Sequence, residues 1–241
     1  MARTPAFQAG DRGFDPRRPY YRLVNVFTAD DGSYGNALGV FLDGGTFDDA
    51  KRQAIATDLG YSETVFVDDP TTGQLRIFTP ANELPLAGHP LVGTAWVIER
   101  ELGACEMLRP PAGEVPTWAA GDLRWIRARP EWAPPFVLRE YASAAEVDAL
   151  EGAPDGLGYA YCWAWADESA GIVRARSFVP EAGVPEDEAT GSAALLLGSR
   201  LGRPLEIRQG KGSVIHARPG ADGTIEVGGR VADRGEQAYG D

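Results

Sequence analysis

Three side chains in this sequence are of the types that move protons, and each stands at the start of an apolar stretch. Glu63 opens the run Glu63-Thr64-Val65-Phe66-Val67. A strand of period two puts Glu63 in line with Val65 and Val67. A carboxyl group on the apolar side of a strand is partly desolvated, which raises its pKa towards the range that suits a general acid or base. The residue alone leaves a second reading open, a solvent-exposed glutamate at a strand end. His89 stands in Ala87-Gly88-His89-Pro90, at the first turn of an apolar segment running to about Leu102. It is either a proton carrier or a histidine hydrogen-bonded in the core. Asp187 lies just ahead of Ala189-Thr190-Gly191-Ser192, where another apolar segment begins. It is either a third member of a proton-transfer set or an N-terminal cap and dipole partner. His216, between Ile215 and Ala217, is assigned no role.

Two helices must position these groups. The spacing predicts one from about residue 88 to Leu102, with Pro90 in its first turn, where a missing N–H costs nothing. It predicts another over Gly191–Leu201, ended by Gly202. Both are apolar nearly all round, so both are expected to be buried. Small residues stand at their starts: Gly88 in one, Thr190, Gly191 and Ser192 in the other. First-turn N–H groups and the positive dipole end make such starts anion sites. Two that open into one cleft would grip a carboxylate or an enolate oxygen; the alternative is that the glycines only permit tight turns. A third helix is expected to start at Thr46 as cap and to close at Gly60. A short one is expected after the capping box Ser143–Glu146. Strands are expected at 21–27, 37–42, 62–67, 74–79, 123–129, 136–139, 157–165, 172–179, 205–208, 213–218 and 224–231.

An echo at an offset of 100 links the two helices. Arg76, Phe78, Pro80 and Pro85 recur as Arg176, Phe178, Pro180 and Pro185, with Leu84 opposite Val184, and each copy runs into an apolar helix. A duplicated fold follows, with the site between its copies, where ligand pockets favour domain interfaces. The domains are expected at 20–112 and 113–241, joined near Pro110–Pro116, with each helix inside its own sheet. Residues 1–19 are rich in Arg, Asp and Pro and are expected to form a flexible tail.

Composition removes whole classes of function. The 23 Lys and Arg against 35 Asp and Glu leave a net charge of −12. Such a chain repels phosphate backbones and anionic lipid, so neither nucleic acid nor a membrane surface is an expected partner. No window of 18 uninterrupted apolar residues exists, and the first residues lack the apolar core of a secretory signal. A cytoplasmic location follows, with Cys105 and Cys162 as unpaired packing residues. With 2 histidines, no C-x-x-C and no H-E-x-x-H, no metal site is expected. Gln209-Gly210-Lys211-Gly212-Ser213 lacks the upstream glycine and the Lys-Ser step of a phosphate-binding loop.

Taken together, these motifs resemble the PhzF family, the phenazine-biosynthesis isomerase-like proteins. The resemblance rests on Val26-Phe27-Thr28 with Gly35-Asn36, on Ser62-Glu63-Thr64-Val65-Phe66-Val67, and on Phe78-Thr79-Pro80 through Glu83-Leu84-Pro85. Ala87-Gly88-His89-Pro90, Asp187-Glu188-Ala189-Thr190-Gly191-Ser192-Ala193 and Val227-Gly228-Gly229-Arg230-Val231 complete it, over about residues 21 to 231. It implies an α+β, diaminopimelate epimerase-like fold: two pseudo-symmetric domains, each a barrel-like sheet round a central helix, with the active site between them. It implies Glu63, His89, Asp187 and Ser192 as catalytic residues, with Gly88, Thr190 and Gly191 binding substrate. It further implies a homodimer and an isomerase without metal or organic cofactor, moving a proton and a double bond in a small cyclic amino acid or related carboxylic acid. A C–C bond hydrolase working through the same enolising site, or a binding protein that has lost turnover, are the alternatives. Three features depart from the family pattern. Glu188 stands where proline is usual, Ala37 follows Asn36 in place of proline, and the chain is short, as though the second domain were trimmed.

Overall fold

The computed structural model describes residues 18–240. The tail expected over 1–19 therefore falls outside the described residues, apart from Arg18 and Pro19. The first lobe opens with the antiparallel pair β1 (Tyr20–Thr28) and β2 (Asn36–Phe41). Helix α1 (Asp49–Leu59) carries the chain to β3 (Glu63–Asp69), which runs parallel to β2. Next come β4 (Gln74–Phe78), the short β5 (Glu83–Leu84), α2 (Gly88–Leu102), β6 (Met107–Leu108), β7 (Val115–Ala120) and β8 (Leu123–Ala128). The second lobe repeats the order. It runs β9 (Val137–Glu140), α3 (Ala144–Asp148), β10 (Ala160–Asp167), β11 (Ile172–Val179), β12 (Val184–Asp187) and α4 (Gly191–Leu201), then β13 (Leu205–Gln209), β14 (Ser213–Pro219) and β15 (Ile225–Ala238).

The repeat is visible in pairings as well as in order. In each lobe a helix links two parallel strands, β2 to β3 and β9 to β10. Each then has an antiparallel hairpin, β3–β4 or β10–β11, and a short third strand, β5 or β12. The echoed side chains do the same work twice. The Arg76 guanidinium lies 5.7 Å from the Phe78 ring and pairs with Glu83 across β4–β5. That of Arg176 lies 5.0 Å from Phe178 and pairs with Glu186 across β11–β12.

Helices α2 and α4 fill the two lobes. Every residue of α2 from Gly88 to Ala95 is buried, as is every residue of α4 from Gly191 to Leu195. Leu91, Val92 and Val97 of α2 join Leu195 and Leu197 of α4 in one apolar cluster with both sheets. Each such fully buried side chain contributes about 1.5–3 kcal/mol of transfer free energy. That burial outweighs the weak intrinsic helicity of segments containing Gly, Thr and Val.

Three expectations change. The sheets are not separate: strand pairing runs in one continuous path through both lobes. The cause is β15, twice the length of an ordinary strand, which pairs with β8 and β14 through Ile225–Gly229 and with β1 beyond it. Residues 110–116 are not a linker but the turn of the β6–β7 hairpin and the start of β7, with Leu108 paired to Val115 and Met107 to Pro116. Strand β8 beyond it folds back onto α2, and β7 pairs with β8. Thr46 does not cap α1. It ends a 3₁₀ turn over Gly44–Thr46, with its hydroxyl on the Asp43 carbonyl at 2.8 Å, and the Asp48 carboxylate caps α1 by accepting from the Lys51 N–H at 2.8 Å. Gly60 ends α1 and Gly202 ends α4, both in the left-handed conformation. Ser143 caps α3, while Glu146 reaches back to the N–H of Ala142 rather than of Ser143. The short strands β5, β6 and β12 and the strand β7 have no counterpart in the sequence reading.

Candidate active site

Each expected site residue lies at the end of an element, and the ends converge. Glu63 is the first residue of β3, His89 the second of α2, Asp187 the last of β12 and Ser192 the second of α4. Glu63 is not a solvated strand-end residue; its side chain is 13% exposed, and that of His89 is 2% exposed. The Glu63 Oε2 atom lies 3.4 Å from His89 Nδ1. It makes no hydrogen bond there, and both Glu63 Oε2 and His89 Nε2 are buried without hydrogen-bond partners.

Asn36, at the start of β2, joins the lobes. Its amide Nδ2 donates to Asp187 Oδ1 at 2.6 Å and to the Ala189 carbonyl at 3.1 Å, and lies 3.4 Å from His89 Nδ1. Its Oδ1 accepts from the Ser62 hydroxyl at 3.0 Å. Asp187 is no helix cap, for α4 has no side-chain cap. Its Oδ2 accepts from the Thr190 hydroxyl at 2.6 Å. Behind it, Gln209 donates to the Asp187 carbonyl at 2.9 Å and to Thr190 Oγ1 at 2.9 Å, and its Oε1 accepts from the Thr190 N–H at 3.1 Å and the Tyr161 hydroxyl at 3.0 Å.

The two helix starts touch. A Cβ on Gly88 would stand 2.4 Å from the carbonyl carbon of Gly191 and 2.7 Å from the amide nitrogen of Ser192. One on Gly191 would stand 2.9 Å from Gly88 Cα. Glycine is required at both positions because backbone meets backbone. Neither helix has a side-chain cap, so two positive dipole ends face each other with first-turn N–H groups unspent. Their repulsion is relieved only by negative charge placed beside them.

That charge is held in an unusual way. Burial, and then the facing carboxylate of Asp187, push the Glu63 carboxyl up to about 8. Burial pushes Asp187 up to about 6, against hydrogen bonds from Thr190 and Asn36 that favour its ionised form. Burial takes His89 down to about 3. Near neutral pH the buried pair is therefore held back from double ionisation, with Glu63 the more strongly raised of the two, and the imidazole is kept uncharged. Among the described residues, no group of three His, Cys, Asp or Glu side chains is placed to hold a metal ion.

Residues 24–157 match the family model of the phenazine biosynthesis-like proteins, PhzC-PhzF. The chain belongs to this family. The trans-2,3-dihydro-3-hydroxyanthranilate isomerase of Pseudomonas fluorescens is 33% identical over 230 residues, covering 73% of this chain and 80% of that protein. The protein of the same name from Pseudomonas chlororaphis is 32% identical over 238 residues, covering 80% and 83%. This chain is accordingly a PhzF-like isomerase. A putative PhzC/PhzF protein from Clostridium difficile has the same fold, with a TM-score of 0.74 at 20% identity over 92% of this chain and 100% of that one. So does a hydroxyproline epimerase from Agrobacterium vitis, with a TM-score of 0.61 at 13% identity over 94% of each chain. The expected α+β, epimerase-like fold is the observed one.

In the sequence, Asn36, Ser62 and Gln209 stand out only as parts of motifs, and Tyr161 does not stand out at all. A usable signal exists. Asn36 stands in line with Leu38 and Val40, and Gln209 in line with Leu205 and Ile207, all buried. A polar residue at the end of a core-facing row must find partners inside. No described helix is long and apolar enough to cross a membrane.

Proposed function

We propose that this protein is a cofactor-independent isomerase that moves a proton and a double bond in a small cyclic amino acid or related carboxylic acid. The observation that carries the reading is the buried Glu63–Asp187 pair, which is held back from double ionisation near neutral pH beside two apposed helix starts. Two titratable groups whose surroundings push them apart divide the roles of acid and base. Glu63 gives its proton to one substrate carbon, and the carboxylate left behind takes a proton from another. The electron pair of the broken C–H bond becomes the new double bond, and the old one receives the delivered proton, so atoms and charge balance. Asp187 keeps Glu63 protonated until substrate binds. Neutral His89 and Asn36 hold the pair in register. The N–H groups at Gly88, Gly191 and Ser192, with Thr190 beside them, receive the substrate carboxylate. The homodimer implied by the family resemblance and the cytoplasmic location expected from the sequence belong to the same proposal.

The test uses trans-2,3-dihydro-3-hydroxyanthranilate, the compound in the Pseudomonas proteins' name, alongside other small cyclic amino acids, in deuterated buffer followed by NMR. The expected result is a shifted double bond and deuterium at the carbon that gains the proton, both slowed by about 10²–10⁴ in Glu63→Gln, the range for general acid–base catalysis. Exchange at the unmodified protein's rate in Glu63→Gln overturns the assignment of Glu63.

A further inference from the structure

Glu188 follows Asp187 directly, yet its carboxylate turns to a different partner. Its Oε1 accepts from the Lys211 N–H at 2.9 Å and from the Ser213 hydroxyl at 2.9 Å, and its Oε2 lies 3.1 Å from the same N–H. Ser213 is fully buried at the start of β14. Having given its one hydrogen to Glu188, its oxygen accepts from the N–H of Gly35 at 3.1 Å. Gly35 precedes Asn36, the residue whose amide joins Asp187 to His89. The path Glu188–Ser213–Gly35–Asn36–Asp187 is therefore a closed ring of bonds across the two lobes, made of short links and meeting at the proton-carrying pair.

The segment that the ring holds is one that would not hold itself. Tyr34 and Gly35 both have positive φ, 59° and 79°. For a tyrosine that conformation is strained and persists only where the surroundings impose it. Three contacts impose it here: Asn25 Nδ2 donates to the Tyr34 carbonyl at 2.8 Å, Ser213 takes the Gly35 N–H, and the Tyr34 ring lies where a Cβ on Gly212 would stand, 2.5 Å away. The Ser213 bond runs on through Glu188 to the segment that carries Asp187.

We propose that Glu188 and Ser213 are positioning residues, an interlobe clasp that sets Asn36 against Asp187. Neither touches the reacting atoms. The clasp acts on Asp187 in two opposite ways. Through Ser213 it keeps the Asn36 amide on Asp187 Oδ1, which favours the carboxylate. Through space the Glu188 charge disfavours it. The other titratable groups around Asp187 are Glu63 from β3, His89 from α2 and Tyr161 from β10, and none of them is altered by changing the clasp.

The proposal rests on the reading of Glu63 and Asp187 as the proton-carrying pair, and the experiment separates the two. The side-chain carboxyl carbons of Asp and Glu are labelled with ¹³C, and Asp187 is titrated by NMR in the whole protein, which needs no substrate. Turnover and its pH profile are measured on the same samples, with Glu63→Gln as the control for the pair. Ser213→Ala should raise the Asp187 midpoint. Glu188→Gln, which keeps an acceptor oxygen and loses the charge, should lower it. Turnover in Ser213→Ala should fall roughly ten- to a hundredfold with KM little changed, the cost of a small misplacement, while its melting temperature stays close to that of the unmodified protein. An unmoved Asp187 midpoint in both variants overturns the clasp. So does a loss of turnover in Ser213→Ala that follows a fall in melting temperature. If Glu63→Gln keeps full turnover while the midpoints move as stated, the clasp stands and the reading of the pair fails.

Discussion

Glu63→Gln should make the folded protein more stable and the enzyme nearly inactive. In the folded chain the Glu63 carboxyl is pushed up to about 8 from its ordinary 4.5, by burial first and by the Asp187 charge second. Below pH 4.5 the group is protonated both folded and unfolded, and it costs nothing. Between 4.5 and 8 the unfolded chain loses the proton and the folded chain keeps it. Stability therefore falls with rising pH, by up to ~1.4 kcal/mol per unit, and the loss is complete above the folded value. Integrated, the cost is about 1 kcal/mol at pH 5, about 3 kcal/mol at pH 7 and close to 5 kcal/mol above pH 8.5. Glutamine has nearly the same shape and no proton to lose, so its advantage over glutamate should follow the same curve. A fixed offset of roughly 1–3 kcal/mol is subtracted if its amide finds no partner beside His89; this moves the curve down without changing its slope. The assay is urea unfolding of both proteins at pH 5, 7 and 8.5. A stability difference that is flat across this range would refute the buried, proton-holding Glu63, whatever the activity of the variant.

Asp187→Asn removes the charge that helps to hold the Glu63 proton, so the alkaline limb of kcat/KM, set near pH 8 by Glu63, should move to lower pH; a limb that stays in place would mean that the two carboxylates do not sense each other. The acid limb, set near pH 6 by Asp187, should be absent from the same variant. Cys105 and Cys162 are both unpaired and buried, and burial pushes both thiols up, away from the thiolate form. Their double serine variant should keep turnover within about tenfold; a loss beyond a hundredfold, about 2.7 kcal/mol of barrier, in protein that still unfolds cooperatively would point to thiol chemistry instead.

What could be read from the sequence, and what could not, divides along physical lines. Helices α2 and α4 were legible because a segment apolar on every face has only one place to go, and Gly202 marks an end that Leu201 does not. Glu63 was legible only as one of two readings: period-two alternation sets it beside Val65 and Val67, but a solvated strand end fits the same residues, and burial in the folded chain decides between them. The Arg76–Phe78 and Arg176–Phe178 echo was legible because a cation over an aromatic ring, paired across a short strand, needs those residues at that spacing. Strands β5, β6 and β12 were not legible: two to four residues carry too little pattern, and their pairing is decided by the neighbouring strand. The run of β15 from Val231 to Ala238 was not legible either. Its residues Asp233, Arg234, Gly235 and Glu236 read as a turn, and only the partner β1 makes them a strand. The same holds for residues 110–116, whose prolines and glycine suit a linker and a hairpin turn equally well. Asn36, Ser213 and Gln209 lie at the ends of core-facing rows, where alternation tells that a polar side chain is buried but not what it meets.

The contact between the two helix starts explains why a site with two carboxylates and an uncharged imidazole is stable in this fold. An isomerase must hand out a proton and recover one, so it needs one that stays with the protein between turnovers. A lysine or arginine placed to offset the carboxylates would bind the pair as a salt bridge and hold both ionised. Glu63 would then have no proton to give. Helix ends offer a positive field without a titratable group, and they offer it at a fixed point because Gly88 and Gly191 are in backbone contact. Hydrogen bonds from Thr190 and Asn36 favour the Asp187 carboxylate, while Glu63, whose Oε2 has no hydrogen-bond partner, is raised further by burial. Burial of His89 completes the balance, since an imidazolium 3.4 Å from Glu63 Oε2 would draw that proton off. On this argument the apolar shell around the helix starts is as much part of the proposed chemistry as the side chains that carry it. Admitting water to the cluster would bring Glu63 back towards its ordinary range and end its use as a proton donor at neutral pH.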